Sequence, residues 1–238
     1  MVSGSVTHPS STGYGTSPKN TSPTIDCSGR VVSFLSAASN LGQTIYQTTY
    51  GLFTATVDWE DHSYKPAGLT TDWYSPTNAQ LSCNGNSAIV GKSTGNNAKQ
   101  YNRIKHAIAV VSVNSAGATS NQTNGLGTAV STSDDGRYIV FVDKGTNLDT
   151  THPQTYKGAN YDVFVRDTKA GTTHLVSFTA LGNHSGLLPG HPGTISISPD
   201  GSTVAYVYNT PNSSNPNGEL ISGVNTGQAD VYISKTGF

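Results

Sequence analysis

The chain has 238 residues, of which 34% are hydrophobic and 11% charged, with a formal net charge of -1. Against roughly 25% charged residues in ordinary soluble domains, so sparse a charge leaves no electrostatic footprint for phosphate backbones or anionic membranes, which excludes nucleic acid from the expected partners. No apolar run approaches the roughly 18 residues of a spanning helix, and the first twenty residues lack the basic and apolar regions of an export signal. No membrane insertion is expected, and the single methionine, Met1, suggests a segment of a larger exported protein.

Polarity comes from Ser, Thr, Asn and Gly, which suit turns and exposed strand faces, while strong helix formers are scarce. In chain order, MVSGSV (1–6) reads as a lone strand and PTIDCSGRVVSFLSAASNL (23–41) as two strands about a Ser-Gly turn. A long loop (37–51) follows, then the aromatic and acidic stretch DWEDHSY (58–64) and the neighbouring DWY (72–74). AQLSCNGNSAIVGKS (79–93) forms a second hairpin on Asn-Gly. A third strand somewhere in 99–105 is hard to see, and VVSVNSAGATSN (110–121) reads as a fourth.

AVSTSDDGRYIVFVDKGTNL (129–148) and TISISPDGSTVAYVYNT (194–210) are the clearest copies, two alternating strands about an Asp-Gly turn. That dipeptide between alternating apolar runs is a strong hairpin signal, because the tight turn needs φ > 0. DVFVRD (162–167) and KAGTTHLVS (169–177) supply a third strand, a turn and a fourth strand. DVYIS (230–234) supplies a third strand with no fourth after it. The turn glycines Gly29, Gly85, Gly136 and Gly201 recur at blade-length intervals.

The expected fold is therefore all-β: a β-propeller of four blades, each of four antiparallel strands, in a single domain. The blades span about 22–78, 79–125, 126–190 and 191–238, the last completed by strand 1–7 pairing beside Val231 to Ser234 and closing the ring. These residues resemble the repeat of the TolB-like (WD-type) bacterial β-propeller family, strongly over 127–177 and 193–238. That family's Asp-Gly turn stands here as Asp135-Gly136 and Asp200-Gly201; Ser28-Gly29 and Asn84-Gly85 depart from it.

Cys27 and Cys83 are too few and too distant for a zinc cluster or a redox motif, which leaves one disulfide or two buried thiols. Both stand two residues before a turn glycine, at the ends of adjacent innermost strands, where a bridge is conceivable. A Ser/Thr/Asn-rich, charge-poor chain belongs outside the cytoplasm: secreted, at the cell surface or periplasmic.

No catalytic motif of recognised spacing occurs. The densest functional-looking patch is Asp58, Trp59, Tyr64, Asp72, Trp73 and Tyr74, where ring faces would stack on a ligand and carboxylates would bond its polar groups. Asp58, Glu60 and Asp61 are weak candidates for Ca²⁺, and Asp143, Asp149 and Asp162 a second set, whose plainer role is capping their own loop in Asx turns. No cofactor is otherwise implied. His152, His174, His184 and His191 read as isolated loop histidines. Three long loops (37–51, 146–161 and 209–229) follow equivalent strands and should emerge on one face. The leading expectation is a non-enzymatic module that binds protein or glycan through that face or the central funnel. The rivals are a glycan hydrolase or lyase using Asp58, Glu60, Asp61 or Asp72 as acid and base, and a structural spacer.

Overall fold

The computed structural model describes residues 20–36, 51–58, 63–69, 76–92, 97–122, 129–152, 161–184, 194–209 and 229–238, among which there is no helix. They form four antiparallel sheets in which strands follow chain order. The first holds β1 (Asn20–Ile25), β2 (Val31–Ser36), β3 (Gly51–Asp58) and β4 (Ser63–Leu69). The second holds β5 (Pro76–Leu81), β6 (Ser87–Lys92), β7 (Lys99–Asn102) and β8 (Ala107–Val110). The third holds β9 (Val130–Thr132), β10 (Tyr138–Asp143), β11 (Asp162–Asp167) and β12 (Thr172–Leu175). The fourth holds β13 (Ile195–Ile197), β14 (Thr203–Asn209) and β15 (Ala229–Lys235). The first strand of each sheet packs beside the first strand of the next, β1 on β5, β5 on β9 and β9 on β13, which is the radial order of propeller blades.

In the second blade the third strand is β7, within the 99–105 stretch expected for it, and one reading is corrected: the fourth strand is Ala107–Val110 rather than 110–121. The segment after it instead bends back on itself through a bridge from Val113 to Thr119. Strand 1–7, which was to complete the fourth blade, lies outside the described residues, and among the described residues β15 has a partner only on its β14 side.

Alternate residues of the inner strands divide between two interfaces. Along β10, Ile139 and Phe141 join Ile89, Val130 and Phe164 between the second and third sheets. Val140 and Val142 join Val204, Tyr206 and Tyr208 between the third and fourth. That is why YIVFV reads as an unbroken apolar run: both faces of the sheet are covered. Each such side chain taken from water stabilises the stack by about 1.5–3 kcal/mol.

One turn design closes every inner hairpin. In the second blade the Ser82 hydroxyl donates to Asn84 Oδ1 (2.7 Å) and accepts from the Ser87 amide (3.0 Å), while Gly85 N–H donates to the Ser82 carbonyl (2.9 Å). Ser133 with Asp135, and Ser198 with Asp200, repeat this in the third and fourth blades, with hydroxyl-to-carboxylate distances of 2.7 and 2.6 Å. The first blade makes the same turn with the partners exchanged. Asp26 stands where the serine should be and accepts from Ser28 Oγ (2.6 Å) and from the amides of Arg30 and Val31 (2.9 and 2.8 Å).

The turns are also joined to one another. Cys27 N–H donates to the Cys83 carbonyl (2.9 Å), Asn84 to Asp134 (3.1 Å) and Asp134 to Pro199 (3.0 Å), so a ladder of backbone bonds crosses three blade boundaries. Cys27 and Cys83 sit within their turns, just past the ends of β1 and β5, and their sulfurs are bonded, with Cα atoms 4.7 Å apart. The turn glycines make this approach possible. A Cβ at Gly136 would lie 2.8 Å from Ser87 of the preceding blade, and one at Gly201 would overlap the Tyr138 ring.

Two predictions follow from the ladder. Gly201→Ala puts a side chain at φ +76 and against Tyr138, so it should cost about 3 kcal/mol or more. Gly182→Ala, at φ +75 but with nothing near its Cβ, should cost only about 1–2 kcal/mol; urea unfolding of both variants checks the difference. The disulfide closes a loop of sequence separation 56, so replacing both cysteines by serine should lower the unfolding free energy by about 2–4 kcal/mol, read from the shift in urea midpoint.

Candidate functional site

Antiparallel pairing in chain order fixes which connections share a face. The turns at Gly29, Gly85, Gly136 and Gly201, and those between third and fourth strands, lie at one end of the sheets. The second-to-third-strand connections and the links between blades lie at the other. The pairs Ser36↔Gly51, Asp143↔Asp162 and Asn209↔Ala229 each end their ladders at that second end, so the three long segments leave from one face.

The same reasoning separates the aromatic patch at its stems. Residues 59–62 follow the Asp58↔Ser63 pair at the turn end of β4, whereas 70–75 follow the Leu52↔Leu69 pair at the loop end. Six steps of strand, roughly 20 Å, lie between these stems. Asp58 is exposed at the end of β3, and the backbone of Tyr64 pairs with Val57. Trp59, Glu60, Asp61, Asp72, Trp73 and Tyr74 lie outside the described residues.

On the loop face the described residues build a network of acids and histidines in the third blade. His184 Nδ1 is 2.9 Å from Asp162 Oδ2, with both side chains almost fully buried, and its Nε2 is 3.3 Å from the Asp149 carbonyl. Both ring nitrogens face oxygen atoms, an arrangement that favours the imidazolium, the form that donates from both. Burial pushes the His184 pKa down, but the Asp162 carboxylate and the Asp149 carbonyl more than offset it, leaving the pKa above the ordinary histidine value. Ser177 donates to Asp162 Oδ1 (3.3 Å) and accepts from the Val163 amide (2.9 Å).

Asp149 has both oxygens engaged. Oδ1 accepts from the Thr151 amide (2.8 Å) and hydroxyl, and Oδ2 from the Leu175 amide (2.8 Å) and the His152 ring (3.2 Å). Burial works against its ionisation, yet these donors hold its pKa below the usual range. His152 in turn stacks on Phe178, with centroids 5.2 Å apart. Asp143 accepts from Ser120 (2.6 Å) and the Gly145 amide (2.7 Å), and burial raises its pKa despite them.

Histidines 152 and 184 are thus partners of carboxylates rather than isolated, a correction to the sequence reading. His174 meets the edge of the Phe238 ring, and His191 lies outside the described residues. Among the described residues no group of three or more His, Cys, Asp or Glu is arranged to hold a metal ion. Asp143 and Asp149 are occupied by their own loop's amides, the plainer of the two roles expected for them, and Asp162 by His184 and Ser177. A cleft of about 260 Å³ opens beside the network, lined among others by Asn114, Asn147, Thr150, Thr151 and His174. The polar part of its lining is mostly amides and hydroxyls, and among the described residues Asp149 is its one carboxylate.

Sequence reasoning missed the network, although one signal was available. Ser112 and Ser177 stand in the same place of two blades, each after a valine. Ser112 accepts from the Ala98 amide (3.1 Å) and donates to Asn97 (2.9 Å), as Ser177 does with Val163 and Asp162. Asn97 and Asp162 therefore occupy equivalent positions, and Asp162 is the copy that carries a charge in need of a partner.

No family model and no curated protein matches the chain. Among solved structures it is similar to TolB from Acinetobacter baumannii, at 17% identity and TM-score 0.49, covering 80% of this chain and 38% of that one. It is also similar to the β-propeller domain of the Trilobed protease from Pyrococcus furiosus (9% identity, TM-score 0.48, 91% of this chain and 54% of that one). A third is the Pyrococcus horikoshii acylaminoacyl peptidase (12% identity, TM-score 0.46, 93% and 32%). The chain thus spans between about a third and about half of these structures, and the likeness concerns the fold alone.

The network makes stability depend on pH in a definite direction. Because the folded chain holds the His184 proton more tightly than the unfolded chain, the pair's contribution is full below the unfolded pKa of about 6.5 and fades as pH rises through the higher folded value. Urea midpoints should therefore fall from about pH 6.5 upward, and His184→Gln should flatten that slope. His184→Ala, which leaves Asp162 buried without its cation, should cost about 3 kcal/mol.

Proposed function

We propose that the chain is an extracytoplasmic recognition module that binds protein or glycan through its loop-bearing face, without chemistry of its own. The observation that carries this reading is the common exit of segments 37–50, 144–161 and 210–228 from one end of the sheets. Long segments on a rigid scaffold are where binding residues concentrate, and the cleft beside Asp149, at the outer strand β12, offers amides and hydroxyls suited to adaptable hydrogen bonding. The Asp149, Asp162 and His184 network spends its acids on holding loop stems in place, which is preorganisation for binding. The disulfide supports an oxidising compartment.

In the same proposal the blades form a ring of four, with Val2 to Val6 paired to the outer edge of β15 beside Val231 to Ser234. Among the described residues β15 is paired on one side only and its Val231 and Ile233 are exposed, which supports this, since apolar edge strands are ordinarily covered. Hydrogen exchange would read it. Deleting residues 1–7 should accelerate exchange of alternate amides in 230–234, and an unchanged pattern would count against closure.

Replacing 37–50 and 210–228 by short Gly-Ser linkers should leave the unfolding free energy within about 1 kcal/mol of the parent while abolishing capture of neutral glycans and of proteins on arrays and panels. Capture of those neutral glycans or proteins that survives the replacement, or release of reducing ends from a captured glycan, would overturn the reading.

A further inference from the structure

A second cleft, of about 480 Å³, lies at the opposite end of the sheets, between the second and third blades. It is framed by the turn joining β7 to β8 on one side and the turn joining β11 to β12 on the other, with the Gly136 turn at its base. Its floor is Gln100, whose amide nitrogen donates to Ser87 Oγ (3.0 Å) and to the Gly136 carbonyl (2.9 Å). Each framing turn is fixed by a side-chain cap and raises one lysine. Asn102 Oδ1 accepts from the Lys105 amide (2.9 Å), and Asp167 Oδ1 from the amides of Lys169 and Ala170 (2.9 Å each).

The charges of the cleft are unequal in their commitments. Arg137 is spent on Asp167, through Nε (3.0 Å) and Nη2 (2.6 Å), and that pairing holds the Asp167 pKa at about 2. Neither Lys105 nor Lys169 has a carboxylate partner among the described residues, since the ion pairs there join Arg137 to Asp167, His152 to Asp149 and His184 to Asp162. In a chain with only 13 lysines and arginines, two free ammonium groups beside one cleft is a local concentration of positive charge. One acceptor lies with them. Asp135 uses Oδ1 for the turn, bonding Ser133 and the Arg137 amide, and its Oδ2 has no partner among the described residues. Ala107, Ile108 and Ala109 of β8 add a short apolar strip.

The geometry points to a site for an acidic saccharide of the uronate type, distinct from the loop face. A single carboxylate between Lys105 and Lys169 takes charge-assisted hydrogen bonds from both. Ring hydroxyls donate to Asp135 Oδ2, and the ring's C–H face lies on the β8 strip. A phosphate dianion or a polyacidic peptide fits less well, because it brings further negative charge against Asp135 with no hydroxyl donors to satisfy it. The volume suits one or two sugar units.

The test uses the full chain and calorimetric titration with di- and trigalacturonate, beside neutral galactose oligomers, inorganic phosphate and a polyglutamate peptide. Binding of the galacturonates alone is expected, weakening with added salt. Lys105→Gln and Lys169→Gln should each reduce affinity about tenfold with unchanged urea midpoints, since both side chains are exposed. The loop-replaced chain should bind galacturonate as the parent does, which separates this site from the proposal for the other face. No galacturonate binding, equal binding of the neutral oligomers, phosphate or peptide, or affinity indifferent to both lysine changes would each overturn it.

Discussion

The structure depends on the approach of one inner turn to the next. Four hairpins of similar sequence would each be marginal alone, because a two-stranded ribbon buries too little to hold itself. What makes them a stack is that each turn presents a backbone N–H or carbonyl to its neighbour at bonding distance, and a glycine where a side chain would hold the neighbour off. The serine and its Asp or Asn partner that close each turn shape the same geometry from within. Packing of alternate apolar residues then proceeds outward from this line, blade against blade.

Two consequences reach the functional surfaces. Since each hairpin is pinned at the turn end, the opposite end is free to carry long segments without loosening the core, and the Asp–His network is placed where those segments begin. The outer turns at the pinned end are held too, by Asn102 and Asp167, so a cleft between blades keeps its walls although it lies at the surface. Charge is rare in this chain, and most of what is described is committed to fixed partners, which makes the uncommitted lysines conspicuous.

The inner hairpins were legible in the sequence because their signal is local: a turn glycine after Asp, Asn or Ser, between alternating residues, repeated four times. The blade order followed from it. β8 was hidden because Ala107–Val110 lies at an edge with most of its residues exposed, so it carries no alternation to read. The His184 to Asp162 pair was hidden because it spans 22 residues and depends on how a loop folds back. The separation of 59–62 from 70–75 was within reach. Counting β4 as a strand between them is enough to put their stems at opposite ends of the sheet, and closeness in sequence obscured it.

The ladder of turns has a direction. Cys27 and Asp134 give their amide hydrogens to the next blade, but the corresponding residue of the fourth turn is Pro199, which accepts from Asp134 and has no hydrogen to pass on. Proline at this position makes the fourth blade a terminus of the relay in its simplest form. The third turn both accepts, from Asn84, and donates, to Pro199, whereas at this position the fourth turn can only accept, so the repeat of the turn sequence is broken at the one place where the ladder would call for another donor.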